Sequence, residues 1–362
     1  MSMSMPIKNH VFEQRTRHGW SQAELASRAG LSRPEVSAIE TGRVVPSTAA
    51  ALALAGALGC PVEALFSLAK SHQTEHVWAW QPPRPDTRFW VADVGGKLLR
   101  IPVEPTASGN IGHDGVAGEL SSADYHALAC KTLVLASCDP AAGLLAAEVS
   151  RRHGLRVIVL CRGSRAGLEL LRKGVIHAAG VHLADNEHPD ANVMAVAGMM
   201  GTEHRLVSVA RWEEGIAISP RLGKRSITSL FKHSVRWIGR EPGSGARQCL
   251  DMLFAGRPVP KTIAHGHLEV AAAVQRGWAD AGVCVRLTSE ELGLNFLSVK
   301  TDHYDICIPS SRDPRTDALV DTVRSAPYRR LLGELPGYAA ADGEAVVAGG
   351  ATIGSKASRS SR

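Results

Sequence analysis

Trp20-Ser21-Gln22-Ala23-Glu24-Leu25-Ala26-Ser27-Arg28-Ala29-Gly30-Leu31-Ser32-Arg33-Pro34-Glu35-Val36-Ser37-Ala38-Ile39-Glu40-Thr41-Gly42 carries two S-x-x-E patterns, Ser21 with Glu24 and Ser32 with Glu35. In each, the serine hydroxyl and the glutamate carboxylate satisfy helix N-terminal amides reciprocally, so each serine marks a helix start. Gly30 falls between the two helices, where a tight turn requires positive φ. Leu25, Ala26, Ala29, Leu31, Val36 and Ile39 recur at helical spacing and supply a shared core.

Two short helices joined this closely predict a helix-turn-helix, a motif that lays its second helix in the DNA major groove. The stretch resembles the phage-repressor (Cro/cI, or XRE) family, including that family's ending, here Ile39-Glu40-Thr41-Gly42-Arg43-Val44-Val45-Pro46. Ser47 or Thr48 is placed to cap a following helix, giving an all-α domain of about five helices. The resemblance implies that Ser21 and Gln22 touch phosphate, that Arg33, Glu35 and Ser37 face base edges, and that Arg43 faces the DNA backbone. Arginine bonding guanine and glutamate accepting from cytosine suit direct readout. One such domain covers a half-site, so the expected partner is a double-stranded operator bound by a homodimer. The competing reading of the same polar face is a helical adaptor without DNA binding.

Outward from this motif the chain divides by pattern. Residues 9–68 read as the helix-turn-helix domain. Residues 69–130, rich in Pro, Gly and His, read as a linker with a small β-element, its Trp78, Trp80 and Trp90 anchoring it to a neighbouring domain. From Lys131 to about residue 340, β-branched runs such as Thr132–Ala136, Arg156–Cys161 and Ala178–Leu183 alternate with helical stretches near 140–153 and 163–173, which is an α/β pattern. Residues 341–362 turn to Gly, Ala, Ser and Arg and are expected to be a disordered tail. The fold class expected is therefore multidomain: an all-α helix-turn-helix domain followed by a two-lobed α/β domain.

Composition narrows the function classes without choosing one. A length of 362 residues allows two or three cores, and a formal charge of +6 is compatible with a polyanionic partner. The opening Met1-Ser2-Met3-Ser4-Met5-Pro6 has no apolar segment of signal-peptide type. The apolar run Ala49 to Cys60 is too short for a membrane span, which needs about 20 residues. Seven cysteines without C-x-x-C spacing fit a reducing cytoplasm rather than a disulfide framework or structural zinc. No membrane partner, no cofactor and no resident metal are expected.

Residues 131–340 resemble the type II periplasmic-binding-protein fold through a series of turns. These are Ser137-Cys138-Asp139-Pro140-Ala141-Ala142-Gly143, Arg162-Gly163-Ser164-Arg165, Ala179-Gly180-Val181-His182-Leu183, Arg240-Glu241-Pro242-Gly243-Ser244-Gly245, His267-Leu268-Glu269-Val270, Gly277-Trp278-Ala279-Asp280 and Tyr304-Asp305-Ile306. Open α/β sheets bind ligands beyond the carboxyl ends of their strands, where helix N-termini offer amides and partial positive charge. The candidate ligand-binding residues are Ser137, Ser164, His182, Gly243, Ser244, Gly245, His267 and Tyr304. Asp139, read as an N-cap with Pro140 in the first turn, works against an anion at Ser137 and favours Ser164 and Ser244. The domain type resembles the molybdate-binding proteins and also occurs fused to a molybdenum-cofactor biosynthesis enzyme. That resemblance implies molybdate, tungstate or a molybdopterin-like compound as ligand.

The expected function is a cytoplasmic, ligand-responsive transcription regulator and not an enzyme. Two alternatives remain open: an enzyme or binding protein of molybdenum-cofactor metabolism carrying a helical module, and a ligand buffer with no DNA role. A metal at His182 and His265-Gly266-His267 is set aside in favour of a cleft-lining His267. A reactive Cys138 is set aside because Asp139 opposes a thiolate.

Overall fold

The computed structural model describes residues 7–68, 77–106, 109–117, 124–223 and 225–347, and the chain divides into two units, Met1–Glu75 and His76–Arg362. In the first unit the described helices are Val11–Arg17, Gln22–Ala29, Arg33–Glu40, Thr48–Leu58 and Val62–Leu65. The capping box at Ser21 is complete: its hydroxyl accepts from the Glu24 amide at 3.2 Å and its amide donates to the Glu24 carboxylate at 2.6 Å. At Ser32 the hydroxyl accepts from the Glu35 amide at 3.3 Å, while the Glu35 side chain stays exposed rather than closing the box. Ser47, not Thr48, caps the fourth helix. Gly30 ends the second helix with φ 65°.

Val11, Leu25, Ala26, Val36, Ile39, Leu54, Ala55, Leu58 and Leu65 form one buried cluster under these helices. A short antiparallel pair, Ile7–Asn9 with Phe66–Leu68, closes the unit and has no counterpart in the sequence expectations. Asn9 ties this pair to the second helix of the motif: its side-chain Oδ1 accepts from the Val11 amide at 3.0 Å and its Nδ2 donates to the Ile39 carbonyl.

The second unit is built on a ten-stranded mixed sheet among the described residues. Three parallel strands, Arg156–Leu160, Thr132–Ala136 and Ala178–Asp185, lie toward one end. Ile263–Ala264, Trp237–Arg240 and Ala281–Val285 lie toward the other. Two fifteen-residue antiparallel strands, His204–Ile218 and Asn295–Pro309, run between them and belong to both lobes. Runs such as Thr132–Ala136 and Ala281–Val285 are buried at every position, as expected for strands covered on both faces.

On the first lobe, helices Ala142–His153 and Pro314–Arg324 cover one face and helices Ser164–Arg172 and Ala191–Met200 the other. Helices Gly245–Phe254 and His267–Gln275 pack on the second lobe.

Residues 69–76 lie outside the described residues. Those from Val77 to Val116 carry a four-stranded sheet, Val77–Trp78, Lys97–Pro102, Arg88–Val94 and Gly115–Val116 in spatial order. Trp90, 1% exposed, sits in one cluster with Val134, Ile158 and Leu160 of the first lobe, and its indole N–H donates to the Gly112 carbonyl at 3.0 Å. Arg156 grips this sheet through both oxygens of Asp114 and the Val91 carbonyl. Tyr338–Ala340 and Ala345–Val347 pair with the strand His204–Ile218, so ordered structure runs past residue 341. The rest of the expected tail, 348–362, lies outside the described residues.

Candidate functional site

The first unit presents the residues expected to meet DNA on the two helices of the motif. Ser21 is exposed at its cap. Arg33 and Glu35 are exposed in the first turn of the helix Arg33–Glu40, Ser37 is half-buried one turn on, and Arg43 is exposed in the loop that follows.

Gln22 is placed differently from a free phosphate donor. Its amide donates to Glu40 at 2.9 Å, and Glu40 in turn accepts from Arg15 at 2.6 and 3.0 Å. Burial pushes the Glu40 carboxyl up, but the Arg15 and Gln22 hydrogen bonds outweigh it and hold the group below its ordinary range. This part-buried trio links the helices Val11–Arg17, Gln22–Ala29 and Arg33–Glu40, and nothing local in the sequence announces it. Arg15 lies 25 residues from Glu40.

In the second unit, the carboxyl ends of strands from both lobes converge on one buried cluster. Ser137, Ser164, His182, Ser244, His267 and Tyr304 are each at most 1% exposed. Ser137 shares a hydrogen bond with the Tyr304 hydroxyl at 2.7 Å, and Tyr304 stacks on Trp212 at 4.8 Å. Ser164 accepts from the His182 amide at 3.1 Å. Ser244 caps the helix Gly245–Phe254 by accepting from the Arg247 amide, and its hydroxyl donates to the Glu241 carbonyl at 3.0 Å.

The two Gly-Ser turns meet across the lobes. A Cβ built on Gly163 would lie 3.5 Å from the Ser244 Cβ and 3.2 Å from the Glu241 carboxylate. Gly243, at φ 85°, faces the Arg165 side chain, and a Cβ on Gly245 would overlap the His182 carbonyl oxygen.

The centre of this cluster holds groups outside the expected set. Arg240 is fully buried; it donates to the neighbouring Glu241 carboxylate at 3.1 Å and to His267 Nδ1 at 3.3 Å. Cys138 Sγ lies 2.9 Å from His182 Nε2. Burial pushes the Cys138 thiol well above its usual range and drives His182 down to about 4. Both groups are therefore neutral at pH 7. On the far side of His182, Glu214 and Asp302 project from the two long strands and share Lys300 at 3.3 and 2.7 Å. Burial, with the Asp302 charge adding to it, raises Glu214 to about 8.

Asp139 is not the helix cap expected of it. The helix begins at Ala142, Pro140 lies in the turn before it, and Asp139 accepts from the Ala141 amide at 2.9 Å and from the Tyr338 hydroxyl at 2.6 Å. Its carboxyl, raised to about 6 by burial, is turned toward Tyr338. Arg240 carried a signal in sequence, an arginine at a strand end before a Gly-Ser-Gly turn. Glu214, Trp212 and Asp302 carried none, because their role depends on the register of two strands about 90 residues apart in sequence.

A helix-turn-helix family model matches residues 11–65, and a PBP superfamily domain model matches residues 146–324. An uncharacterized HTH-type transcriptional regulator of Bacillus subtilis (strain 168), YgzD, is 42% identical over 62 residues, which are 17% of this chain and 94% of YgzD. YvgK, an uncharacterized protein of the same organism, is 26% identical over 187 residues, covering 49% of this chain. The match spans 61% of YvgK's own length. Among solved structures, the tungstate ABC transporter protein of Geobacter sulfurreducens superposes with a TM-score of 0.43 at 15% identity, covering 56% of this chain and 97% of that one. The effector-binding domain of QuiR in complex with shikimate superposes with a TM-score of 0.39 at 11% identity, covering 53% and 94%.

Proposed function

This chain belongs to the helix-turn-helix family of transcriptional regulators and carries a PBP superfamily domain behind that motif, and we propose that it is a cytoplasmic, homodimeric regulator whose DNA affinity responds to a small ligand held between the two lobes. Its work is binding rather than catalysis. The observation that carries the reading is the capped helix pair that exposes Arg33 and Glu35 at the start of the second helix. Those residue types at that place suit guanine and cytosine readout, with Ser37 beside them and Ser21, Gln22 and Arg43 toward the backbone. With one amide proton on Glu40, Gln22 keeps its second for phosphate.

For the ligand, the reading is a small anion of the molybdate or tungstate kind, or a molybdopterin-like compound, held near Arg240. A fully buried guanidinium whose carboxylate partner is its own sequence neighbour supports an anionic guest that takes that carboxylate's place. Ser164 and Ser244 already hydrogen-bond within the protein, and Gly245 is packed on His182, so entry requires the lobes to part. Opening and closing of this kind is a hinge motion about the two long strands. Coupling to the DNA-binding unit would be about 1–3 kcal/mol, or ~5–150-fold in affinity.

The test is a thermal-shift titration of the full chain with molybdate, with sulfate and phosphate as controls. A rise specific to molybdate supports the oxyanion reading, since a ligand that binds the native state raises its stability. No rise with molybdate removes the oxyanion and leaves DNA binding to be judged by itself.

A further inference from the structure

We propose that Cys138, His182 and His267 form a copper site that takes the ion as Cu(I) and ties the two lobes together. This goes beyond the anion reading by adding a second ligand class to the cleft, and it rests on that cleft being the ligand site. One donor atom from each of the three side chains lies within 4.8 Å of the other two. All three residues are buried, at 5%, 0% and 1% exposure. Cys138 lies in the loop just past the first-lobe strand Thr132–Ala136 and His182 within the first-lobe strand Ala178–Asp185, whereas His267 opens a helix of the second lobe.

One thiolate and two imidazoles are the donor set of trigonal copper sites. Movements of about 0.5 Å bring donors at this spacing to the ~2.0–2.3 Å typical of metal–nitrogen and metal–thiolate bonds.

His182 offers Nε2 to the centre, and its Nδ1 faces the Asp302 carboxylate at 3.6 Å. A carboxylate behind the imidazole is the outer contact that orients a ligating histidine. Nε2 of His267 is buried and has no hydrogen-bond partner among the described residues. It becomes a donor to the ion once its proton moves to Nδ1. Arg240 then gives up its long contact to Nδ1 and keeps Glu241.

Charge selects the ion. Binding forms a Cu–S bond and releases the Cys138 thiol proton to solvent, with no change of oxidation state. A monovalent ion on a thiolate adds no net charge beside the buried Arg240, whereas a divalent ion adds one in a medium where charge burial is costly.

The experiment is an anaerobic titration of the full chain with Cu(I), held reduced by ascorbate, against a chromogenic Cu(I) chelator. Zn(II) is run in parallel. The expected result is one equivalent of Cu(I) per chain with thiolate-to-copper absorption in the ultraviolet. Cys138→Ser and His267→Ala are each expected to weaken binding more than about 100-fold, and Asp302→Asn by about 10-fold. Cys161→Ser is expected to leave it unchanged. Metal-free melting curves check that each variant folds.

No uptake by folded wild type, uptake that survives Cys138→Ser, or Zn(II) bound more tightly than Cu(I) overturns the proposal. The two readings fail separately. Copper uptake without any ligand effect on DNA binding sinks the regulatory reading and leaves the copper site. A molybdate-specific melting shift without copper uptake does the reverse.

Discussion

Gly245, at the start of a second-lobe helix, lies so close to His182 of a first-lobe strand that a side chain there would overlap the His182 carbonyl oxygen. The closed arrangement of the lobes therefore depends on a missing Cβ. Gly245→Ala is expected to lower the melting temperature of the ligand-free chain through overpacking of about 1–3 kcal/mol. It should also raise hydrogen exchange around residues 163–167 and 243–247. Unchanged melting and exchange would mean that the lobes do not close through this contact.

The Arg15–Glu40–Gln22 trio links the helices Val11–Arg17, Gln22–Ala29 and Arg33–Glu40. Glu40→Gln leaves the guanidinium of Arg15, whose side chain is 9% exposed, without its counter-charge. The expected loss is about 2 kcal/mol of stability in the first unit, the scale of a charge-assisted hydrogen bond. Chemical denaturation followed by Trp20 fluorescence measures it. A variant as stable as wild type would show that apolar packing alone holds the helices.

Glu214 makes the stability of the second unit depend on pH in a definite direction. Its carboxyl is raised from 4.5 to about 8, chiefly by burial, so the protonated form is the one favoured by folding. That contribution is fully present below pH 4.5 and is lost as pH rises through about 8. Glu214→Gln mimics the protonated form. The variant is expected to melt like wild type at pH 4.5 and several degrees higher at pH 8. A gap that shrinks with rising pH would refute the assignment.

Trp90 is the anchor of the small sheet. Trp90→Ala removes a side chain 1% exposed and is expected to cost about 3–5 kcal/mol. Because the sheet shares a cluster with Val134 and Ile158, unfolding should stay a single transition for the second unit. A separate early transition for residues 77–117 would contradict that shared core.

These outcomes bear on what the sequence made legible. The helix pair of the first unit could be read in detail because caps, turn glycine and apolar spacing are local: Ser21, Gly30, Leu25 and Ile39 each act within a turn or two of chain. The strands Thr132–Ala136 and Arg156–Leu160 are legible as continuous apolar, β-branched runs. Ile7–Asn9 and Ala345–Val347 were not, since three-residue strands have no periodicity to read. At the cleft, the Gly-Ser turns stood out, but their contact across the lobes did not. Asp139 looked like a cap because Asp-Pro before an apolar run has that signature. A tyrosine 199 residues away claims its carboxylate instead.

In the proposed function the exposed first turn of the helix Arg33–Glu40 reads DNA. The most direct measurement is selection of duplexes from a random pool by the full chain, followed by fluorescence anisotropy of wild type and Arg33→Ala on the enriched and a scrambled sequence at fixed salt. The expected result is one enriched motif with two related half-sites. Wild type should prefer it strongly, and Arg33→Ala should lose about 1–3 kcal/mol of that preference while keeping its binding to scrambled DNA. Equal wild-type affinity for enriched and scrambled duplexes, or a preference untouched in Arg33→Ala, would mean that this helix does not read DNA sequence.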